Sequence, residues 1–165
     1  MRIALATDHA GFEVLHELKN YLSEKGHECQ DYGPESLDPN DDYPQFMFRA
    51  AHAVADGQAD YAIILGGSGQ GEAMAANRVK GVRCAVFYGS EPPKAPVDQE
   101  GHNSDDPHEI LKLSRSHNNA NALSLAARFL SLDQVKQAVD VWLNTPFSNI
   151  ERHARRVNQL DEDDA

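Results

Sequence analysis

The chain has 165 residues, of which 41% are hydrophobic and 25% charged, and its formal net charge is −11. That length and balance suit one globular domain with a proper core, and the acid excess argues against nucleic acid and anionic membranes as main partners. No apolar run approaches the ~20 residues that span a bilayer, and the opening Met1-Arg2-Ile3-Ala4-Leu5-Ala6-Thr7 turns polar too early for a secretion signal, so a cytoplasmic protein is expected. Arg2–Thr7 reads as a short buried strand, ended by Asp8-His9-Ala10-Gly11. Phe12, Leu15, Leu18, Tyr21 and Leu22 then recur at helical spacing, with Gly26 as C-cap. His27–Tyr32 is a weaker strand, followed by an acidic, proline-containing loop over 33–42. Pro44 opens a helix that runs to about Ala55. Tyr61–Leu65 is the third strand and the candidate centre of a sheet. A glycine-rich turn and a helical stretch, Ala73–Val79, lead to a stop near Lys80-Gly81. Val82–Tyr88 is a fourth strand. Residues 90–108, rich in proline and acid, read as an exposed loop or flap. Glu109–His117 is a short helix and Ala122–Ala126 a fifth strand. Asp133 is expected to cap a helix with Val135, Ala138, Val139, Trp142 and Leu143 on one face. Asn149–Leu160 is a final helix, and 161–165 an acidic tail with a frayed end.

Strands alternating with helices predict an α/β fold: three layers, with a central, mostly parallel five-stranded sheet and helices on both faces, in a single domain over residues 1–160. Ligands of such sheets bind at the carboxyl ends of the strands. Asp8-His9, the glycine turn and the region after Tyr88 therefore share one rim. Cys29 and Cys84 are read as buried reduced thiols. No Cys-x-x-Cys or Cys/His ligand spacing appears, and no metal site is expected.

The run Gly66-Gly67-Ser68-Gly69-Gln70-Gly71-Glu72 carries the most chemical information. A glycine turn between a buried strand and a helix exposes backbone N–H groups where an anion can bind. A phosphate-binding P-loop would need lysine where Glu72 stands, a dinucleotide fingerprint would need glycine there, and a hydrolase elbow would need glycine where Gln70 stands. What remains is a carboxylate beside an oxyanion-ready nest, which suits proton abstraction next to a carbonyl, or else a tight turn with an exposed Glu in the first helical turn. Other polar groups leave two readings each. Asp8-His9 is a substrate or acid/base pair, or a helix N-cap with a surface histidine. His117, with Asn118 and Asn119, is a functional residue or a histidine favoured by a helix C-terminus. Arg152 and Arg156 share a helical face and with Arg155 form a phosphate clamp or a solvated basic surface. Asp42-Tyr43-Pro44 fits a helix start. His16, His27, His52, His102, His108 and His153 are read as surface or packing residues.

Five segments in this order resemble the ribose-5-phosphate isomerase B family, which also includes galactose-6-phosphate and allose-6-phosphate isomerases. They are ALATDHAGFEVLHEL near the start, DYP at Asp42–Pro44, GGSGQGEAMAANRVKGVRCA, SRSHNNANALSLAARF and RHARRV. The resemblance implies a Rossmann-like fold, a homodimer or tetramer with active sites between subunits, and interconversion of ribose 5-phosphate and ribulose 5-phosphate through a cis-enediolate without a cofactor. It implies that Asp8 and His9 bind substrate and that His117, with Asp8, assists ring opening, with Asn118 beside it. Gly67, Gly69, Gln70 and Gly71, with the Ser68 hydroxyl, would form the anion hole. Arg128, Arg152 and Arg156 would hold the phosphate, in part across the dimer interface, and Tyr43 and Asn77 fall among the substrate-binding positions. One branch of the family uses a cysteine base at the position of Gly66; the other carries a glutamate at that of Glu72, with serine at that of Ser68, and this chain matches the second. Relative to typical members, 90–108 reads as an insertion. A hexose 6-phosphate isomerase, for allose or galactose 6-phosphate, and a non-catalytic sugar-phosphate- or nucleotide-binding module stand as the alternatives.

Overall fold

Five short, mostly apolar strands form the middle layer of the protein. The structure, a computed structural model, describes residues 1–162. The strands are β1 (Arg2–Thr7), β2 (Glu28–Asp31), β3 (Tyr61–Gly66), β4 (Cys84–Phe87) and β5 (Ala122–Ala126). The helices are α1 (Phe12–Glu24), α2 (Tyr43–Ala55), α3 (Gln70–Ala76), α4 (Glu109–Ser116), α5 (Leu132–Leu143) and α6 (Glu151–Asp161), with a 3-10 turn at His9–Gly11. The strand order is β2-β1-β3-β5-β4, and every pairing is parallel. That order explains the sequence pattern. The inner strands β1, β3 and β5 are covered on both faces and read as mostly apolar runs, whereas β2 and β4 are edges and half-exposed. β3 is the central strand, as its apolar run predicts.

The two faces of the sheet differ in grain. On one, Ile3, Leu5, Ile63, Leu65, Leu123 and Leu125 pack against Leu15, Leu18 and Leu22 of α1, Leu111 of α4 and Val135, Val139 and Trp142 of α5. Each such large side chain contributes roughly 1.5–3 kcal/mol on full burial. On the other, Ala4, Ala6, Ala62 and Ala122 join Ile64 beneath Phe46, Met47 and Ala50 of α2 and Ala75 and Ala76 of α3. The methyl-sized strand residues let α2 lie close to the sheet.

The structure corrects several boundaries. Ser131, not Asp133, caps α5: its hydroxyl accepts from the Gln134 amide while the Gln134 side chain accepts from the Ser131 amide, a reciprocal capping box. α3 begins earlier than expected, at Gln70, and β4 is confined to 84–87. α6 starts at Glu151 and runs into the segment expected to fray: Asp161 closes it and pairs with Arg83 at 2.9 Å. The rest of the acidic tail, residues 163–165, lies outside the described residues. Cys29 and Cys84 are free thiols, each only half-buried as a residue, although burial pushes the Cys84 thiol up to about 12. Among the described residues no helix is long and apolar enough to cross a membrane.

Candidate active site

Because all strands run one way, Thr7, Gly66 and Ala126 end at the same edge, and the residues that follow them meet there. Gly69 has φ +74, a left-handed conformation open to glycine, and it turns the chain from β3 into α3. The carbonyls of this turn are pinned toward β5. Gly66 O accepts from the Ala127 amide at 2.8 Å, Gly67 O from the Arg128 amide at 3.2 Å, and Gly69 O from Ser124 Oγ at 2.7 Å. In a trans peptide the following N–H points the opposite way, so the Gly67 and Ser68 amides face away from β5. Ser68 Oγ accepts from the Gln70 amide at 3.3 Å, which sets the hydroxyl at the mouth of this nest.

Glu72 sits in the first turn of α3 and is 5% exposed, so the reading of an exposed first-turn carboxylate is excluded. Its carboxylate folds back over Gly66: a Cβ at 66 would lie 1.9 Å from Oε1. Only glycine leaves room for the acid. Burial pushes the Glu72 carboxyl above its ordinary range, its own backbone amide opposes that, and the charge of Asp8 adds to it. Tyr43, at the start of α2, closes over the helix end, where a Cβ at Gly71 would meet its ring carbon and hydroxyl at 2.8 Å. Arg128 lies along Gly67, its side chain at contact distance from where a Cβ would stand.

Asp8 is the N-cap that one of its readings expects, and it also lies close to the other buried acid of this edge. Its Oδ1 accepts from the Ala10 amide at 2.9 Å as an N-cap, and its buried charge also reaches Glu72. His9 is gripped by Asp41, which sequence reading noticed only as part of an acid run: Nδ1 lies 2.7 Å and the backbone N–H 3.2 Å from Asp41 Oδ1. Asp8, His9 and Asp41 bring three ligand-type atoms within 4.8 Å of one another. A 2.7 Å separation between imidazole nitrogen and carboxylate oxygen is that of a hydrogen bond, so the cluster is built around a proton and we assign no metal ligand in it. The exposed Asp98, Glu100 and His102 group likewise carries a hydrogen bond, His102 Nδ1 to Asp98 Oδ2 at 2.5 Å.

A second cluster lies elsewhere. His117 is the C-cap of α4, and its ring centroid is 4.2 Å from that of His153 on α6. His117, Asn118, Arg152, His153 and Arg156 line a cavity of about 340 Å³, walled on its far side by Pro96 to Gln99 of the acidic segment. The loop or flap expected over 90–108 thus runs, in part, against the cavity that His117 lines. His153, expected to be a surface or packing residue, is the buried floor of the cavity. Its Nδ1 shares a 2.8 Å hydrogen bond with Ser148 Oγ and its Nε2 accepts from Arg152 Nε at 3.1 Å. Arginine only donates, so the accepting Nε2 carries no proton and the ring is neutral, and burial, then the neighbouring His117, Arg152 and Arg156, hold its pKa down. Arg155 is exposed and does not line the cavity. Asn77 joins neither cluster: its amide clasps the Cys84 backbone in both directions, at 3.0 and 2.7 Å, and anchors the edge strand.

The two clusters occupy opposite edges of the sheet. α4 returns from the far end of β4 and stops just before β5 begins, and Asn119 O accepts from Arg83, immediately ahead of β4, at 3.1 Å. Strands of five or six residues rising ~3.3 Å each put roughly 15–20 Å between the edges, further than one sugar phosphate reaches. A wider cavity of about 550 Å³ near the start of β4, with Val82, Cys84, Ile110, Leu113 and Leu160 in its wall, includes neither Glu72 nor His117.

The site thus belongs to an α/β protein that pairs a buried carboxylate with an amide nest at its strand ends and sets a histidine–arginine cluster on the opposite edge. Comparison with known proteins places the chain further: it belongs to the ribose/galactose isomerase family, whose model matches residues 3–103 and 106–160 and so runs through most of the segment expected to be an insertion. The chain is 36% identical over 162 residues to ribose-5-phosphate isomerase B of Mycolicibacterium paratuberculosis, covering 98% of this chain and 91% of that one. Among solved structures, a ribose 5-phosphate isomerase from Thermotoga maritima is 37% identical with a TM-score of 0.82, covering 98% and 97% of the two chains. Ribose-5-phosphate isomerase B from Mycoplasma genitalium, solved with bound ribulose-5-phosphate, is 32% identical with a TM-score of 0.82, covering 97% and 93%.

Proposed function

We propose that this protein interconverts ribose 5-phosphate and ribulose 5-phosphate through a cis-enediolate, with Glu72 as the base. The observation that carries this reading is the Glu72 carboxylate, buried over Gly66 against the amide nest, with its pKa raised by that burial. A base whose pKa approaches the working pH combines enough ionised form with enough proton affinity. Arg128, Arg152 and Arg156 hold the phosphate, and that remote binding positions the sugar. His117 and Asp8 move a proton as the ring opens. Glu72 then takes the C2 proton of the open aldose and returns it to C1. The amides of the Gly67–Gly71 turn, with the Ser68 hydroxyl, stabilise the oxyanion that forms in between. One carboxylate both accepts and returns the proton, so the step itself calls for no metal or organic cofactor.

The separation of the two clusters supports a homodimeric site: the Asp8–Glu72 edge of one chain faces the His117–Arg156 edge of a second. Exposed apolar side chains fit such a contact. Met74 is 65% exposed beside the nest, Phe129 69% exposed next to Arg128, and Ile150 54% exposed at the start of α6. The reading is tested by Glu72→Gln in deuterium oxide. Wild type exchanges the C2 proton of ribose 5-phosphate during turnover; the folded variant loses both exchange and turnover by roughly 10²–10⁴-fold. Near-normal exchange in that variant would falsify the assignment of the base.

A further inference from the structure

The loop over 33–42 places one buried acid against the site, and nothing in the reaction outlined above uses it. Asp41 has a side chain only 5% exposed, and its Oδ1 receives two donors from the same residue, the backbone N–H and ring Nδ1 of His9. A carboxylate offers only acceptors, so Nδ1 must carry the proton. The ring bond through Nδ1 leaves Nε2 as the free end of the imidazole, and the His9 side chain is 28% exposed. The other oxygen, Asp41 Oδ2, is buried and has no hydrogen-bond partner among the described residues. Among the described residues, the hydrogen bonds to this carboxylate come from His9.

We propose that Asp41, through its hydrogen bond to Nδ1, is the positioning residue that presents His9 Nε2–H as a donor to an oxygen of the bound sugar phosphate. The inference rests on the function proposed above for its substrate, and on geometry alone for the Asp41–His9 pair. The charged groups that face His9 come from three parts of the chain. Asp41 approaches from the loop before α2, Asp8 Oδ2 stands 3.8 Å away at the end of β1, and Arg128 approaches from the end of β5. Two acids outweigh one base. The hydrogen bond to Asp41 is the largest cause holding the His9 pKa above its ordinary value; burial and Arg128 oppose it, and the charges of Asp8 and Asp41 add to it. The donor is fully present below the ordinary histidine pKa and is lost as pH rises through the raised one.

A tie that merely fastened the loop to β1 would survive an isosteric change. Asp41→Asn keeps the shape and an acceptor for Nδ1–H but removes the charge. The first measurement is an NMR titration of the His9 ring in the ligand-free protein, which does not depend on turnover. Wild type is expected to titrate above other exposed histidines and to keep its neutral-form proton on Nδ1, and Asp41→Asn to lower that midpoint by about one pH unit. Above the midpoint the imidazolium population then falls about tenfold, so KM for ribose 5-phosphate rises by a similar factor while kcat changes little. A midpoint unmoved in Asp41→Asn, or a wild-type neutral tautomer with the proton on Nε2, overturns the proposal. If Asp41→Asn does not fold, the wild-type tautomer and midpoint decide alone. If wild type does not turn over ribose 5-phosphate, the proposed reaction fails, and the NMR result still decides whether Asp41 orients His9.

Discussion

The two edges of the sheet solve different physical problems with different materials. At the carboxyl edge, Glu72, Asp8 and Asp41 are acids with buried side chains, Asp8 held by a backbone amide and Asp41 by His9, and a single methyl at 66 would collide with the Glu72 carboxylate. At the opposite edge, the ends of α4 and α6 offer His117, Arg152 and Arg156 around a cavity open to solvent, with neutral His153 as the only deeply buried polar member. The first edge is preorganised for chemistry, where small displacements are costly. The second presents long cations that can follow an anion. Neither edge contains both the buried Glu72 carboxylate and the Arg152–Arg156 pair.

The largest effect that probes this contrast comes from Gly66→Ala. The added carbon occupies the place of the Glu72 carboxylate, which must swing away while the fold stays intact. Turnover is expected to drop about 10²-fold or more with an unchanged melting temperature, as read by steady-state assay and calorimetry. Full activity in this variant would mean that the base does not need its place over the nest. Next in size is complementation. Glu72→Gln and His117→Ala chains, each inactive alone, are expected to regain activity when refolded together, because a mixed dimer holds one site with both edges intact. Persistent inactivity of a verified mixed dimer would show that the edges do not cooperate across chains. The smallest effect is a displacement on the pH axis. The proposed base Glu72 would act in its ionised form, so kcat/KM is expected to fall as pH drops through its raised pKa. Asp8→Asn removes the like charge that adds to this rise, and the acid limb of the profile should move to lower pH, whatever happens to its height. A limb that stays in place would uncouple the two acids.

Much of the carboxyl edge is legible in the sequence because its parts are contiguous. Tyr61–Glu72 is one strand, one turn and one helix start, and the failed matches to other glycine motifs already isolate Glu72. Strand identity is legible too, since an inner parallel strand is apolar along most of its length. What could not be read is whatever depends on chain segments meeting at a distance. Asp41 lies 32 residues from His9, inside a run of acids that looks like a solvated loop. His153 gains its role only where α6 passes the end of α4. Asn77 shows a structural use that its place in a matching segment did not suggest: its amide is taken up by the backbone of the edge strand at Cys84. The cap of α5 was available locally, since Ser131 and Gln134 have capping-box spacing, and the acid at 133 drew the assignment away from it.

The alanine face of the sheet has a bearing on all of this. Ala4, Ala6, Ala62 and Ala122 form a shallow bed beneath α2, and from the front of that helix hang Tyr43, over Gly71, and the loop that carries Asp41. A single extra carbon in the bed would raise the whole beam and tilt what it carries. The height of Tyr43 and of the Asp41 loop above the sheet is thus levelled from underneath, by the least conspicuous side chains in the molecule.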